Sequence, residues 1–269
     1  MNAPVRLGAF AAVLAVAFGL AFGAGRLVGP DAVAETRPAG DGHAGGDHGT
    51  PSGPQTGAYA FRLDPYTGGR LSFRITGSDG RAVTAFETLH EKPLHLIVVR
   101  RDLSGFQHVH PVMDATGTWQ VPLALADGGP WRAYADFTAT GGPATVLAAD
   151  LTVPGEHRSE PLPAPATTTV VDGYTVRLDL HDGVTFRVER DGRPVTDLQP
   201  YLGAPGHLVA IAQQDLTYLH VHPTGAGLAF AVEGAGPGVH RLYLQFQHGG
   251  AVHTAEFTVT GFGGGHAHN

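Results

Sequence analysis

The chain contains no cysteine. Disulfides, thiolate metal sites, cysteine nucleophiles and a cysteine-linked lipid anchor are therefore excluded. Methionine occurs only at Met1 and Met113, which argues against a methionine-rich Cu(I) site. Lysine occurs once, at Lys92, and the formal net charge is −7 with histidine neutral. That balance lacks the basic footprint of a nucleic-acid binder. Beyond the first thirty residues no stretch sustains a helical hydrophobic period. There is no G-x-S-x-G, no phosphate loop and no G-x-G-x-x-G, so the common hydrolase and nucleotide signatures are missing. What is plentiful is histidine, with 16 among 269 residues. Protonating all of them would reverse the sign of the net charge, so mild acid remakes the surface.

The histidines are not scattered at random. One phrase occurs twice, at residues 95–111 and 207–223. Each copy opens on a histidine, His95 or His207, and runs through an apolar stretch. An Asp-Leu-Ser/Thr turn follows (Asp102 or Asp215), and then His-Val-His-Pro, with His108, His110 and Pro111 or His220, His222 and Pro223. Further matches keep the same order: residues 71–75 with 184–188, 79–84 with 191–196, and Tyr134-Ala-Asp-Phe with Tyr243-Leu-Gln-Phe. The chain is long enough for two domains.

Composition divides the chain into six parts. Residues 1–29 hold an apolar run between Arg6 and Arg26. It is long enough to span a bilayer as a helix and is read as a membrane anchor or signal peptide. Ala32-Val33-Ala34 supplies a cleavage pattern. The expected location is the cell membrane, single-pass, with the rest extracytoplasmic, or secreted after cleavage behind Ala34. Residues 30–57 are a Gly/His/Pro tether with too little apolar surface to order itself. Residues 58–155 show short alternating segments at 58–64, 70–76, 94–100, 106–110, 118–123, 131–138 and 145–153, split by Gly, Pro and Asp turns. That is the pattern of strands. Residues 156–168 form a Pro-rich linker, residues 169–260 repeat the strand pattern, and 261–269 are a Gly/His tail. The fold class expected is all-β, two tandem immunoglobulin-like β-sandwiches behind the N-terminal helix.

Residues two apart on a strand share a face, about 6.5–7 Å apart at Cα. His108 and His110 can therefore converge on one ion, as can His220 and His222, while Val109 and Val221 point the other way. Pro111 and Pro223 are expected to end their strands. An antiparallel hairpin would bring His95 or His207 to the same end. Two three-histidine sites follow, His95/His108/His110 and His207/His220/His222, suited to copper(II) or zinc(II). Asp136, or His248 or His253 in the second repeat, are candidate fourth ligands. The blander reading is that the pairs are solvated histidines at strand ends and that His95 and His207 are satisfied core residues; repetition of all three weighs against it. The Asp-Leu-Ser/Thr turns are read as turn caps. Tyr134, Phe137, Tyr243 and Phe246 are read as sandwich core. His43, His48, His266 and His268 are read as weak, flexible metal collectors.

The phrase from His95 through Asp102-Leu103-Ser104 to His108-Val109-His110-Pro111, followed by Tyr134-Ala135-Asp136-Phe137, resembles exported bacterial proteins with YtkA-like, FixH-like and CopC-like extracytoplasmic domains. The resemblance spans roughly residues 58–260 in two copies. It implies an immunoglobulin-like sandwich outside the cytoplasm and a part in heavy-metal or copper handling. The mature N-terminal histidine that CopC-like proteins use for Cu(II) is lacking, so that site is not carried over.

The expectation is thus a membrane-anchored extracytoplasmic metal-binding protein that buffers, delivers or senses copper or zinc. It is not an enzyme, and it has a possible envelope-protein partner. Protons compete for imidazole, so free-histidine values predict that binding weakens as pH falls through about 6.5. Two other readings are kept. One is a metal-free tandem interaction or spacer module. The other is a cupin-like metal enzyme, for which Asp114 stands four residues after His110 but Ala226 holds that place after His222.

Overall fold

A computed structural model describes residues 58–261, apart from Asp127, Asp182 and Ala226. Among these residues every regular element is a strand and there is no helix, so none is long and apolar enough to cross a membrane. The expected anchor at 1–29, the tether at 30–57 and tail residues 262–269 lie outside the described residues.

Repeat 1 contains β1 (Tyr59–Leu63), β2 (Arg70–Gly77), β3 (Leu94–Arg100), β4 (Gln107–Val109), β5 (Val112–Met113), β6 (Thr118–Pro122), β7 (Gly129–Thr138) and β8 (Ala144–Val153). They form two four-stranded sheets, ordered β1-β2-β6-β5 and β4-β3-β7-β8. Alternating side chains from both sheets meet in one core, with Phe61, Leu71, Phe73 and Trp119 from the first and Leu94, Leu96, Phe137 and Leu147 from the second. Its aromatic rings pack edge-on or stacked, such as Phe61 on Phe73 at 5.1 Å and Phe73 on Trp119 at 6.1 Å between centroids, the geometry that ring quadrupoles favour.

Repeat 2 contains β9 (Thr168–Val171), β10 (Tyr174–Asp179), β11 (Val184–Arg190), β12 (Arg193–Pro194), β13 (Gly206–Ala212), β14 (Tyr218–Pro223), β15 (Ala229–Glu233), β16 (Val239–His248) and β17 (Ala251–Thr260). Here β14 joins the two halves. Its first residues pair with β13 and its last with β15, so the strand path runs unbroken from β17 to β9. In repeat 1 the same segment is cut. Pro111 has no N–H to give, β4 stops, and the chain crosses to the other sheet as β5. The His-x-His-Pro phrase is thus the place where the chain changes sheets.

Strands β3 and β13 decide how the repeats meet. Every residue of β3 is buried, as the unbroken apolar run Leu94-His-Leu-Ile-Val-Val requires of a strand covered on both faces. Leu94, Leu96 and Val98 enter the core of repeat 1, whereas Ile97 and Val99 face repeat 2. On β13, Leu208 and Ala210 enter the core of repeat 2, whereas Val209 and Ile211 face back. These four residues, with Leu103, Leu216, Tyr134 and Tyr243, make a third core between the repeats.

The interface is reciprocal. Tyr134 Oη donates to Leu216 O at 2.7 Å, and Tyr243 Oη donates to Leu103 O at 2.6 Å. Leu103 and Leu216 are the central residues of the Asp-Leu-Ser/Thr turns, held at φ 65° and 59°. Asp102 Oδ1 accepts from Ser104 N, and Asp215 Oδ1 from Thr217 N, which fixes each turn. The turns are therefore capped as read from sequence, and they also dock the repeats. Tyr134 and Tyr243 belong to this interface, not to the cores of the repeats, while Phe137 and Phe246 do lie in those cores. The linker is tied down as well. Arg100 Nη2 donates to Arg158 O at 2.6 Å, Glu160 N donates to Asp102 Oδ2 at 2.9 Å, and Leu162 packs on the interface.

Each tyrosine hydroxyl satisfies a buried carbonyl. Tyr134→Phe and Tyr243→Phe should each lower stability by about 1–2 kcal/mol, read as a drop in the denaturation midpoint in urea. A change near zero in both would show that the carbonyls find other partners.

Candidate metal centre

The alternation that sends Ile97 and Val99 to the interface sends His95 there too. His108, on β4, pairs with Ile97 and faces the same way, while Val109 turns into the core of repeat 1. His110 follows one residue beyond β4. The three rings converge. His95 Nδ1 lies 2.9 Å from His108 Nε2 and 3.2 Å from His110 Nε2. His95, His108 and His110 form a group whose ligand nitrogens all lie within 4.8 Å of one another, and they could hold a metal ion. For metal–nitrogen bonds of about 2.0–2.1 Å, tetrahedral ligands stand about 3.3 Å apart, close to what is seen.

The outer nitrogens fix the tautomers. His95 Nε2 lies 3.0 Å from Leu89 O. A carbonyl only accepts, so Nε2 carries the proton and Nδ1 keeps its lone pair. His108 Nδ1 lies 2.6 Å from Gln245 Oε1 of repeat 2, and Gln245 gives its amide nitrogen to Thr254 Oγ1 at 3.4 Å. With the Gln245 amide in this orientation His108 Nδ1 donates, and its Nε2 keeps a lone pair. His95 and His108 thus oppose two lone pairs at 2.9 Å. His110 Nε2–H can serve His95, but nothing among the described contacts supplies a proton between His95 and His108. Ring N–H groups donating outward to a carbonyl or amide oxygen, with bare nitrogens facing inward, are the usual second shell of metal-bound histidine.

The Leu89 carbonyl is presented by a tight turn. Leu89 and Lys92 exchange backbone hydrogen bonds around His90 and Glu91, at φ 46° and 65°. This resembles the primed hairpin turns that need positive φ at both central positions. Repeat 2 has the same device around Leu202 and Gly203, and there His207 Nε2 donates to Tyr201 O at 2.9 Å.

Burial sets the charge. Desolvation, with His95 beside it, pushes the pKa of His108 down to about 3. Desolvation followed by His95 holds His110 at about 4, and desolvation followed by His90 holds His207 at about 4. His95 is also lowered, mainly by desolvation. The imidazoles are therefore neutral, the form that binds metal.

The remaining sequence candidates fall in different places. His207, on β13, lines the same cavity as His95 and His108, with its ring centroid 6.3 Å from that of His108 and 6.4 Å from that of His95. His220 pairs with Glu233 and His222 with Ala231 along β14 and β15. The side chain of His220 lies outside what is described. His222 is half exposed, with Nε2 3.8 Å from Glu233 Oε1, and it lines the cavity. Asp136 pairs with His95 across β3 and β7 and also lines the cavity. Desolvation raises its pKa to about 6 against a hydrogen bond from Tyr218. His248 and His253 are engaged elsewhere, His248 with Tyr174 and Asp197 and His253 with Asp172. Asp114 accepts from Thr116 N and Thr118 N in its own turn.

Two residues of the site were not singled out from the sequence. Gln245 carries no metal-ligand signature, and its alignment with Asp136 in the repeated Tyr-x-x-Phe phrase was the one available pointer. His90 sits 4.9 Å from His207 and 6.1 Å from His95, centroid to centroid. Its counterpart is Leu202, so the repeat pattern passes over it.

The sign of the acid response follows from the shifts. A histidine whose folded pKa lies below its unfolded value of 6.5 takes up protons first in the unfolded chain. Stability is then lost as pH falls from about 6.5 toward the folded values of about 4 and about 3. Asp136 acts oppositely, favouring the fold below 3.8 and losing that contribution through about 6. Four histidines against one carboxyl set the net direction. The urea midpoint of the metal-free chain should fall between pH 7 and pH 4, and a midpoint that rises over that range would contradict the burial of these rings.

Both repeats match one protein-family model, described as Domain of unknown function (DUF8832), over residues 57–155 and 168–262. No curated protein matches the chain. The family match does not name YtkA-like, FixH-like or CopC-like relatives.

Proposed function

The chain belongs to the DUF8832 family through both of its repeats, and on that premise we propose that it is an extracytoplasmic metal-binding protein. One divalent transition-metal ion, Cu(II) or Zn(II), is held by His95 Nδ1, His108 Nε2 and His110 Nε2. The observation that carries this reading is the convergence of three ring nitrogens, with His95 Nδ1 2.9 Å from His108 Nε2 and 3.2 Å from His110 Nε2. Three neutral imidazoles suit either metal. The second sequence set, His207, His220 and His222, enters the reading through His207, which shares the cavity.

The wider setting is part of the same proposal. Each repeat is taken as an immunoglobulin-like sandwich, and residues 1–29 as the membrane anchor or export signal. The role is buffering, delivery or sensing, not catalysis. Asp114 is satisfied within its own turn, which favours a binding role over cupin-type chemistry.

Isothermal titration of the purified chain tests the reading. One equivalent of Zn(II) or Cu(II) should bind at micromolar concentration or below near neutral pH, and His108→Ala should weaken binding by at least about 100-fold. Absence of binding by the unaltered chain ends the metal hypothesis. The lowered histidine pKa values also revise the expected pH response. Occupancy should persist below 6.5 and decline toward about 4, where His110 takes a proton.

Gln245→Leu keeps the bulk but leaves His108 Nδ1–H without its acceptor. It should reduce metal affinity about 10- to 100-fold while leaving the three ligands in place. Equal affinity in the two proteins would show that Gln245 does not orient His108.

A further inference from the structure

The three converging rings are almost equally spaced, with centroids 5.1 Å (His95–His108), 5.0 Å (His95–His110) and 4.9 Å (His108–His110) apart. Imidazoles sharing one tetrahedral ion, with metal–nitrogen bonds of about 2.0 Å, place their centroids about 5 Å apart. The first repeat therefore supplies three corners of such a site. His207 comes from the other repeat and lies about an ångström beyond that spacing, at 6.3 Å from His108 and 6.4 Å from His95. Its Nε2–H is already given to Tyr201 O at 2.9 Å, which leaves Nδ1 as its donor atom, as the same device does for His95. His207 is thus held by a copy of the turn that holds His95.

We propose that His207 is the fourth ligand, so that the ion joins repeat 1 to repeat 2. The proposal rests on the three-histidine reading above and extends it to coupling between the repeats. Gln245, from the same repeat as His207, holds His108, so both repeats already build the site. Binding that requires the docked arrangement strengthens the docking by the same free energy. An ion arriving at the cavity then stiffens the whole Ile97/Val99/Tyr134/Tyr243 interface. That is a mechanical output suited to sensing or to release by a partner that separates the repeats.

The test is to load the full chain with one equivalent of Cu(II) and count coordinated imidazole nitrogens by pulsed electron paramagnetic resonance. Four are expected in the unaltered chain. His207→Ala should show three and bind Cu(II) at least about tenfold more weakly. His90→Ala, which removes the neighbouring ring 4.9 Å from His207, should still show four. Three nitrogens in the unaltered chain overturn the proposal and leave the three-histidine centre standing, and this count decides even if His207→Ala fails to fold. Failure of the unaltered chain to bind copper or zinc overturns both.

Discussion

Two strands that are covered on both faces, β3 and β13, set the architecture of this protein. Each sends alternate side chains into its own repeat and the rest into the partner repeat. The apolar residues on the outer faces, Ile97 and Val99 against Val209 and Ile211, are buried between the repeats. The same alternation directs His95 and His207 into that seam. The approach of Gln245 to His108 depends on the repeats being docked, whereas the hydrogen bonds to Leu89 O and Tyr201 O are made within each repeat.

Placing imidazoles in such a seam is not a route to stability. A buried polar nitrogen that loses its partner costs roughly 1–3 kcal/mol, and His95 and His108 bring several such nitrogens into the seam. Aliphatic side chains at these places would serve folding better. The repeated turns and the exchanged tyrosine bonds hold the seam closed alongside the His108–Gln245 bond. The rings are therefore supported by the interface more than they support it, which is the expected relation between a functional cluster and its scaffold.

The two repeats have also diverged in the seam. Asp136 in repeat 1 stands where repeat 2 has Gln245, His90 stands where repeat 2 has Leu202, and Pro111 cuts a strand that Pro223 merely ends. Each change bears on the histidines. The amide of Gln245 orients His108 without adding charge, whereas the carboxyl of Asp136 lies beside Tyr218 with its ionisation suppressed by burial. The sheet crossing at Pro111 brings His110 back beside His95.

Much of this was written in the local sequence. Period-two alternation and Gly, Pro and Asp turns define the strands, because side-chain alternation is a property of the extended backbone itself. The duplicated phrase marks the histidines, and the one-residue spacing of His108 and His110 puts both on one face. The short β5 is not legible, since two residues carry no period. Nor is the destination of the outward faces. The run at His95 reads as a buried strand, but not as one shared between two repeats. Likewise Tyr134 and Tyr243 read as core without revealing which core, and Gln245 carries no mark of its role. Sequence alone determined the all-β class, the tandem repeat and the three histidines of the first cluster, because each rests on contacts or periods within a few residues. Only the tertiary structure decided that His207 and Gln245 face that cluster, because docking buries whichever surfaces fit, and residues 137 positions apart meet with no local signal to announce it.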